Sequence, residues 1–302
     1  MNIYKKIKFW KKRIKTVIED VSQIKFDQRR YLLEQNLLQS TLTGISKERH
    51  CDHDIIVSLT THGKRIHTVH LAIESIMNQT MKANRIVLWL DFSFKDRALP
   101  QTLQMQQKRG LEICFCKDIK SYKKLIPALR EFPDDCIITI DDDLIYEIDL
   151  LENLITAYQQ DSSYIYCCRH HRMRLDKNHN LLPYHKWEKG TSTIDEADIM
   201  NFPTGCGGIL YPPHSLDEEV FNESVFMDIC PFADDVWFKA MALKKGTLSK
   251  KVFTRNKNGA DFLEYGEVQD MGLKQINTTG DFCLNDKQIH AVFIHYNLYR
   301  LF

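Results

Sequence analysis

The sequence predicts an α/β protein: a mostly parallel sheet flanked by helices, with a helical extension in front of it. Three observations carry that expectation. Short apolar runs at Ile55 to Leu59, Ile86 to Leu90, Glu112 to Cys116 and Ile137 to Ile140 alternate with helix-length segments, which is the pattern of βαβ units building a parallel sheet. The fourth run ends in three consecutive carboxylates, Asp141, Asp142 and Asp143, at the strand end where open α/β sheets bind ligands. Ahead of all this, residues 1–50 keep a weak helical period.

Bulk properties narrow the class. A chain of 302 residues makes one large or two modest domains. Hydrophobic content of 43% with 27% charged residues fits a soluble globular protein. A net charge of +1 excludes a global nucleic-acid signature. No apolar run approaches the ~20 residues of a membrane span, and the N-terminus lacks the apolar core of a signal peptide. Nine cysteines without a Cys-x-x-Cys pair read as reduced, mostly buried thiols of a cytoplasmic protein.

In chain order, residues 1–15 hold Lys5, Lys6, Lys8, Lys11, Lys12, Arg13 and Lys15 and no acid, while Ile3, Ile7, Trp10 and Ile14 share one helix face. Such a segment suits an anionic inner-membrane surface, or a solvated tail. Val17, Val21 and Ile24 continue a face, followed by Leu32, Leu33, Leu37 and Leu38. Residues 1–50 are expected to form an extension outside a domain of residues 51–302, whose halves are 51–150 for nucleotide and 151–302 for acceptor.

The domain opens with strand Ile55 to Leu59 and the polar turn Thr60 to Arg65. A helix from Val69 to Gln79 turns Val69, Ile73, Ile76 and Met77 inward. Strand Ile86 to Leu90 ends at Asp91. Helix Leu99 to Lys108 stops at Gly110. Strand Glu112 to Cys116 comes next. Ser121 caps a helix through Arg130 that contains Pro127, and strand Ile137 to Ile140 completes the four. Right-handed crossovers bring Thr60, Asp91 and Asp141–Asp143 to one edge.

Three adjacent negative charges at the end of a buried strand repel one another, and a divalent cation such as Mg²⁺ or Mn²⁺ makes them favourable. Alternation predicts Asp141 and Asp143 on one side and Asp142 on the other. Capping of the next helix is the structural alternative, but Asp149 with Glu152 already forms a capping box for Leu150 to Tyr158.

The second half is less regular. Tyr164 to Cys168 reads as a strand. Gly205, Gly207 and Gly208 permit close backbone approach to a ligand or a tight turn before strand Ile209 to Tyr211. Asp234 and Asp235 begin a helix whose face is Val236, Ala240 and Leu243 and which Gly246 ends. Acids suit a helix start through the dipole, yet a second acidic group in a chain with a metal-type cluster favours a catalytic carboxylate. His290 and His295 flank an expected terminal strand, Ala291 to Ile294, and are candidates for the metal shell.

Strand, polar turn, helix, a strand ending in Asp91 and a strand ending in Asp141-Asp142-Asp143 together resemble the nucleotide-sugar glycosyltransferases of the GT-A fold, over roughly residues 54–250. Ile55 to Arg65 is similar to the opening of the bacterial family-two type. Ala233-Asp234-Asp235-Val236-Trp237 resembles the acidic pair supplying the acceptor base in those enzymes. The same acidic elements also resemble the exostosin-like enzymes, which retain configuration. The whole set is close to transferases of surface polysaccharide and lipooligosaccharide synthesis. The resemblance implies a hexosyltransferase class of activity with Mn²⁺ or Mg²⁺ held by Asp143 and Asp141. It implies a UDP-sugar donor bound by Thr60, Thr61, Arg65, Asp91, Lys123, Lys124, Asp141, Asp142, Gly207 and Gly208, a glycan or lipid-linked acceptor, and Asp235 as base with Asp234 in reserve. Thr60-Thr61-His62-Gly63 and Asp234-Asp235 depart from the usual Pro-Thr-Tyr-Asn and Glu-Asp wording. A sugar nucleotidyltransferase is the rival enzyme, though its triphosphate loop wants more glycine than Gly63 supplies. A non-catalytic, membrane-associated nucleotide-sugar-binding protein is the rival without chemistry.

Overall fold

The computed structural model describes residues 3–191, 195–253, 262–264 and 283–302. Its centre is a seven-stranded sheet in the order β10-β6-β9-β4-β1-β2-β3. The strands are β1 (Ile55–Thr60), β2 (Arg85–Asp91), β3 (Leu111–Cys116), β4 (Cys136–Thr139), β6 (Ile165–Cys167), β9 (Ile209–Tyr211) and β10 (Ser249–Lys251). The four strands expected from the sequence pair in parallel, β1 against both β2 and β4, and β2 against β3. β6 and β10 form a second parallel pair, and β9 runs antiparallel between β4 and β6. Two small ribbons complete the β-structure. β5 (Leu144–Tyr146) pairs with β11 (Phe262–Glu264), and β7 (His170–Arg172) with β8 (Asn201–Pro203), both antiparallel.

Side-chain alternation divides the core between the two faces. Ile55, Val57 and Leu59 of β1 join Ile138 and Ile140 against α2 (His70–Met77) and α5 (Leu150–Gln160). Ile56 and Ile137 join Val87 and Trp89 against α6 (Glu223–Ile229) and α7 (Asp234–Lys245) on the other face. Buried on both sides, these strands read as continuous apolar runs. α7 itself is almost wholly interior, with Val236, Trp237, Phe238, Ala240 and Met241 buried. It ends at Gly246 in the left-handed conformation (φ 84°), a closing turn that glycine adopts without steric cost.

Several expectations are corrected. The helix expected from Ser121 to Arg130 is two pieces, a 3₁₀ turn at Lys120–Lys124 and α4 (Ile126–Glu131). Pro127 lacks the N–H an interior position needs and sits instead in the first turn of α4. Asp149 stands at the start of α5, but its backbone (φ −108°, ψ 11°) is not extended and its side chain makes no capping bond. Glu152 accepts instead from Thr80 Oγ1 at 2.6 Å. The terminal strand is a helix, Leu284–His295. Its buried Ile289, Val292 and Phe293 recur at helical spacing, which a four-residue apolar run does not reveal.

The extension is one helix, α1 (Ile3–Gln39), of 37 residues, about 55 Å long at 1.5 Å per residue. It is not outside the core along its whole length. Phe26 and Leu33 pack with Leu71 and Ile145, and Asn36 Nδ2 donates to Glu74 Oε1 at 2.9 Å. Glu74 is fully buried and paired with Arg109 at 2.8 Å, with α3 (Gln101–Gln107) adding Gln106 Nε2 at 3.0 Å. Val17, Val21 and Ile24 are exposed.

Candidate active site

The carboxyl ends of β4, β1 and β2 lie side by side at one edge of the sheet, where open α/β sheets form their ligand crevice, and the start of α7 reaches that edge through Lys124. In β4 the odd residues face α7 and the even residues face α2, and the chain keeps that parity for two residues beyond Ile140. Asp141 therefore meets the α7 side. Its Oδ1 lies 3.0 Å from Lys124 Nζ, and its own N–H donates to the Tyr146 hydroxyl at 2.8 Å. Asp142 meets the α2 side and is buried. It accepts from Thr61 Oγ1 at 2.6 Å and from Arg65 Nη1 at 2.8 Å. Asp143 does not return to Asp141's side. The strand ends at Thr139, a turn follows, and Asp143 Oδ2 shares Arg65 with Asp142 at 3.1 Å. So Asp142, expected at the donor, is turned into protein and holds Arg65.

Lys124 joins the two acidic groups of the sequence. Its Nζ lies 2.9 Å from Asp234 Oδ2 as well as 3.0 Å from Asp141. Burial alone would lower its pKa, but Asp141, Asp234 and Asp235 outweigh that and raise it well above the ordinary lysine value. Its backbone carbonyl accepts from Ser58 Oγ at 2.6 Å, and Ser58 accepts from Trp89 Nε1 at 3.0 Å. β1 and β2 thus fix the lysine from below.

The carboxylates at the start of α7 bond outside their own helix. Asp234 is buried and accepts from Ser121 Oγ at 2.9 Å. Asp235 is half-buried, and both its oxygens accept from the Gly205 N–H at 3.1 Å. A Cβ on Gly205 would stand 2.5 Å from Lys124 Nζ and 3.1 Å from Asp235 Oδ1, so a side chain here would displace the ammonium from its place between the carboxylates. Burial, with Asp234 and Asp141 adding negative charge, pushes the Asp235 carboxyl up to about 7 against the pull of Lys124. Burial and the charge of Asp141 likewise push Asp143 up to about 6, against Arg65.

Gly207 and Gly208 face protein. A Cβ on Gly207 would meet the Arg169 backbone at 2.7 Å, and one on Gly208 (φ 85°) would meet Leu150 at 3.2 Å. Thr60, Asp91 and Lys123 form a neighbouring group. Thr60 Oγ1 donates to the Trp89 carbonyl at 2.8 Å. Asp91 accepts from the Ser93 N–H at 2.9 Å. Lys123 reaches Asp118 at 2.6 Å and Asp91 at 3.7 Å. His290 and His295 are not brought to the crevice. His290 Nδ1 is 3.1 Å from the Tyr299 hydroxyl, and His295 lies edge-on to Tyr296. Among the described residues, no three His, Cys, Asp or Glu side chains converge as a metal cluster.

Sequence reading passed over Ser58 and Tyr146, took Ser121 for a helix cap, and read Gly205 for a ligand approach or a tight turn rather than for its contact with Asp235. It also missed Lys239, one helical turn beyond Asp235. Lys239 and Ser249 line a small cavity with Tyr211 and Asp235. Lys239 Nζ finds no hydrogen-bond partner among the described residues, and burial lowers its pKa to about 7.

Comparison with known proteins agrees with the architecture. The model of glycosyl transferase family 2 matches residues 55–221, more than half of the 302 residues. Among solved structures, the chain is similar to the inositol-1-phosphate CTP transferase from T. maritima (11% identity, TM-score 0.44, 80% of this chain and 97% of that one). It is also similar to a CMP:2-keto-3-deoxy-manno-octonic acid synthetase complexed with CTP (10% identity, TM-score 0.39, 68% and 90%). HddC from Yersinia pseudotuberculosis matches at 12% identity with a TM-score of 0.33, over 54% and 78%. At those scores none of the three bears on the chemistry. No curated protein matches the chain significantly.

Proposed function

The chain belongs to glycosyl transferase family 2, and on that premise we propose that it transfers a hexose from a nucleotide sugar, with UDP as the nucleotide, to a glycan or lipid-linked acceptor. The observation that carries this reading is the acidic run Asp141–Asp143 at the strand end, held by two ionic groups, Arg65 with Asp142 and Asp143 and Lys124 with Asp141 and Asp234, with Asp235 half-buried beside the second.

Asp235 is the proposed base. A carboxyl held near 7 exchanges a proton with solvent at neutral pH and can accept one from a hydroxyl within reach. In the proposed step the acceptor oxygen bonds to the anomeric carbon, that carbon's bond to the phosphate oxygen breaks, and the acceptor proton passes to Asp235. Gly205 orients the carboxylate through its N–H. Asp234, clamped by Ser121 and Lys124, holds Lys124 in place. If attack is instead guided by the leaving phosphate, the outcome is retention, and Asp235 then binds the acceptor only. Thr60, Asp91 and Lys123 are proposed for the nucleotide, with Asp91 accepting from the base. Thr61 and Asp142 act through Arg65, and Gly207 and Gly208 keep the loop closed beneath the sugar.

The donor set fits a hard divalent cation, Mn²⁺ or Mg²⁺. Asp141, Asp142, Asp143, Asp234 and Asp235 confront Arg65 and Lys124, so negative charge is in excess, and Asp141, Asp143 and Asp235 are left partly exposed, the first two being the proposed ligands. Such an ion, when bound, stabilises the charge of the leaving diphosphate as a Lewis acid. Surface polysaccharide or lipooligosaccharide synthesis at the cytoplasmic face of a membrane is the proposed setting. The basic residues of positions 1–15 would draw the chain to anionic headgroups, and no described helix is long and apolar enough to cross a membrane.

Thermal shift tests the donor site without an acceptor. UDP should raise the melting temperature in Mn²⁺ and not in EDTA, and Asp143→Asn should abolish the shift while melting normally by itself. Equal shifts in EDTA would remove the cation from the reading, and no shift with any nucleoside diphosphate would remove the donor.

A further inference from the structure

The projecting half of α1 carries an apolar seam that no described residue covers. Ile7, Trp10, Ile14, Val17, Val21 and Ile24 recur at intervals of three and four, the a and d positions of a heptad repeat. All six are exposed, Trp10 at 57% and Ile14 at 56% among them. The helix meets the core by another side: in the same heptads, Phe26 and Leu33 fall at f and Leu37 at c. The seam and the docked face therefore use opposite sides of one continuous helix.

We propose that this seam pairs with that of a second copy of the chain as an antiparallel two-stranded coiled coil. The a positions are Ile7, Ile14 and Val21, the β-branched choice of two-stranded coils. A strict a/d stripe is narrower than the broad apolar face of an ordinary surface helix. Exposed Phe9 and Ile18 lie beside the stripe at c and e, and Phe9 already stacks edge-on against Trp10.

Charge decides the direction. The flanking g positions read Arg13, Asp20, Asp27 and Glu34, basic first and acidic after. In an antiparallel pair, g faces g. The register that sets Ile14 against the partner's Val17, Trp10 against the partner's Val21 and Ile7 against the partner's Ile24 also sets Arg13 against the partner's Asp20, twice by symmetry. Among the described residues Asp20 has no ion pair within the chain, and Arg13 touches only the rings of Phe9 and Trp10. A parallel pair would place Arg13 beside Ile18 and bring two N-termini with seven basic residues each side by side, which is repulsive. Lys12 and Lys15, at f and b, stay on the outer surface in the antiparallel pair, so the electrostatic attraction to membranes is not used up.

Light scattering on the eluting full-length protein, across a concentration series, tests this. The wild type should have the mass of two chains. Ile14→Asp/Val17→Asp should have the mass of one and keep a cooperative melting transition, because both residues are exposed in the single chain, with any fall in melting temperature limited to the lost pairing. Arg13→Asp and Asp20→Arg should each weaken the dimer about tenfold or more, and the combined swap should restore it. A combined swap that does not restore it contradicts the antiparallel register. A dimer that survives Ile14→Asp/Val17→Asp forms elsewhere and overturns the proposal. So does a wild type that is monomeric throughout, including one that binds phosphatidylglycerol vesicles through Ile14, which would give the seam to lipid.

Discussion

Asp234 and Asp235 are adjacent in sequence and unlike in surroundings, and their variants should separate accordingly. Among the described residues Asp235 accepts only a backbone N–H, and it is half open, so Asp235→Asn should keep the fold and donor affinity while turnover falls by about 10²–10⁴. Asp234→Ala removes a buried partner of Lys124 and Ser121 and should lower stability by about 2 kcal/mol, seen by urea unfolding. The Asp235 carboxyl also fixes two pH profiles of opposite sign. A base works ionised, so turnover should climb as pH rises through about 7. The folded chain holds that proton between the free carboxyl value of about 3.9 and about 7, whereas the unfolded chain releases it. Its contribution to stability is therefore full below about 3.9 and lost as pH rises to about 7, and Asp235→Asn should flatten that slope in melting experiments. The acidic groups were legible in the sequence because charges beside apolar runs are anomalous. Ser58, Ser121, Tyr146 and Lys239 were not, since single polar residues inside ordinary patterns gain meaning only from partners far along the chain. The placement of Asp143 failed because strand alternation stops where the strand stops.

Among elements, the junction of α1, α2 and α3 turns on one buried ion pair. Glu74 and Arg109 are both interior, and Gln106, Asn36 and Asn78 also donate to Glu74. Arg109→Met should cost about 3–5 kcal/mol, because an uncompensated carboxylate remains buried. Glu74→Leu/Arg109→Met should recover part of that loss and not all, since three amide donors stay behind. The turn closing α7 gives a smaller effect. Gly246→Ala meets no atoms but forces a side chain to φ 84°, for about 1–2 kcal/mol. The parallel strands and their helices were legible from periodicity, within a residue or two at most ends. The C-terminal helix was not, because four apolar residues fit either period and its packing against α7 decides. α4 differed from its expected start because Ser121 spends its hydroxyl on Asp234 rather than on a helix N-terminus.

At the scale of the molecule, the sheet supplies a rigid edge, α7 brings in the second pair of carboxylates, and Lys124 joins them. That arrangement explains why the order of motifs along the chain pointed to the fold, while the distance between Asp141 and Asp234 in sequence hid their shared partner. It also sets how the protein should answer to cations: turnover should vanish in EDTA and return with Mn²⁺ or Mg²⁺, whereas melting temperature should change little, since Arg65 and Lys124 already hold the crevice together without the ion. The central claim, sugar transfer with Asp235 as the proton acceptor, is tested most directly by identifying the leaving group. A panel of UDP-sugars with Mn²⁺ and glycan or lipid-linked acceptors should yield free UDP in step with glycosylated acceptor, and Asp235→Asn should lose both together. Pyrophosphate release from a nucleoside triphosphate and a sugar phosphate, with no UDP from any donor, would contradict the account and identify a nucleotidyltransferase instead.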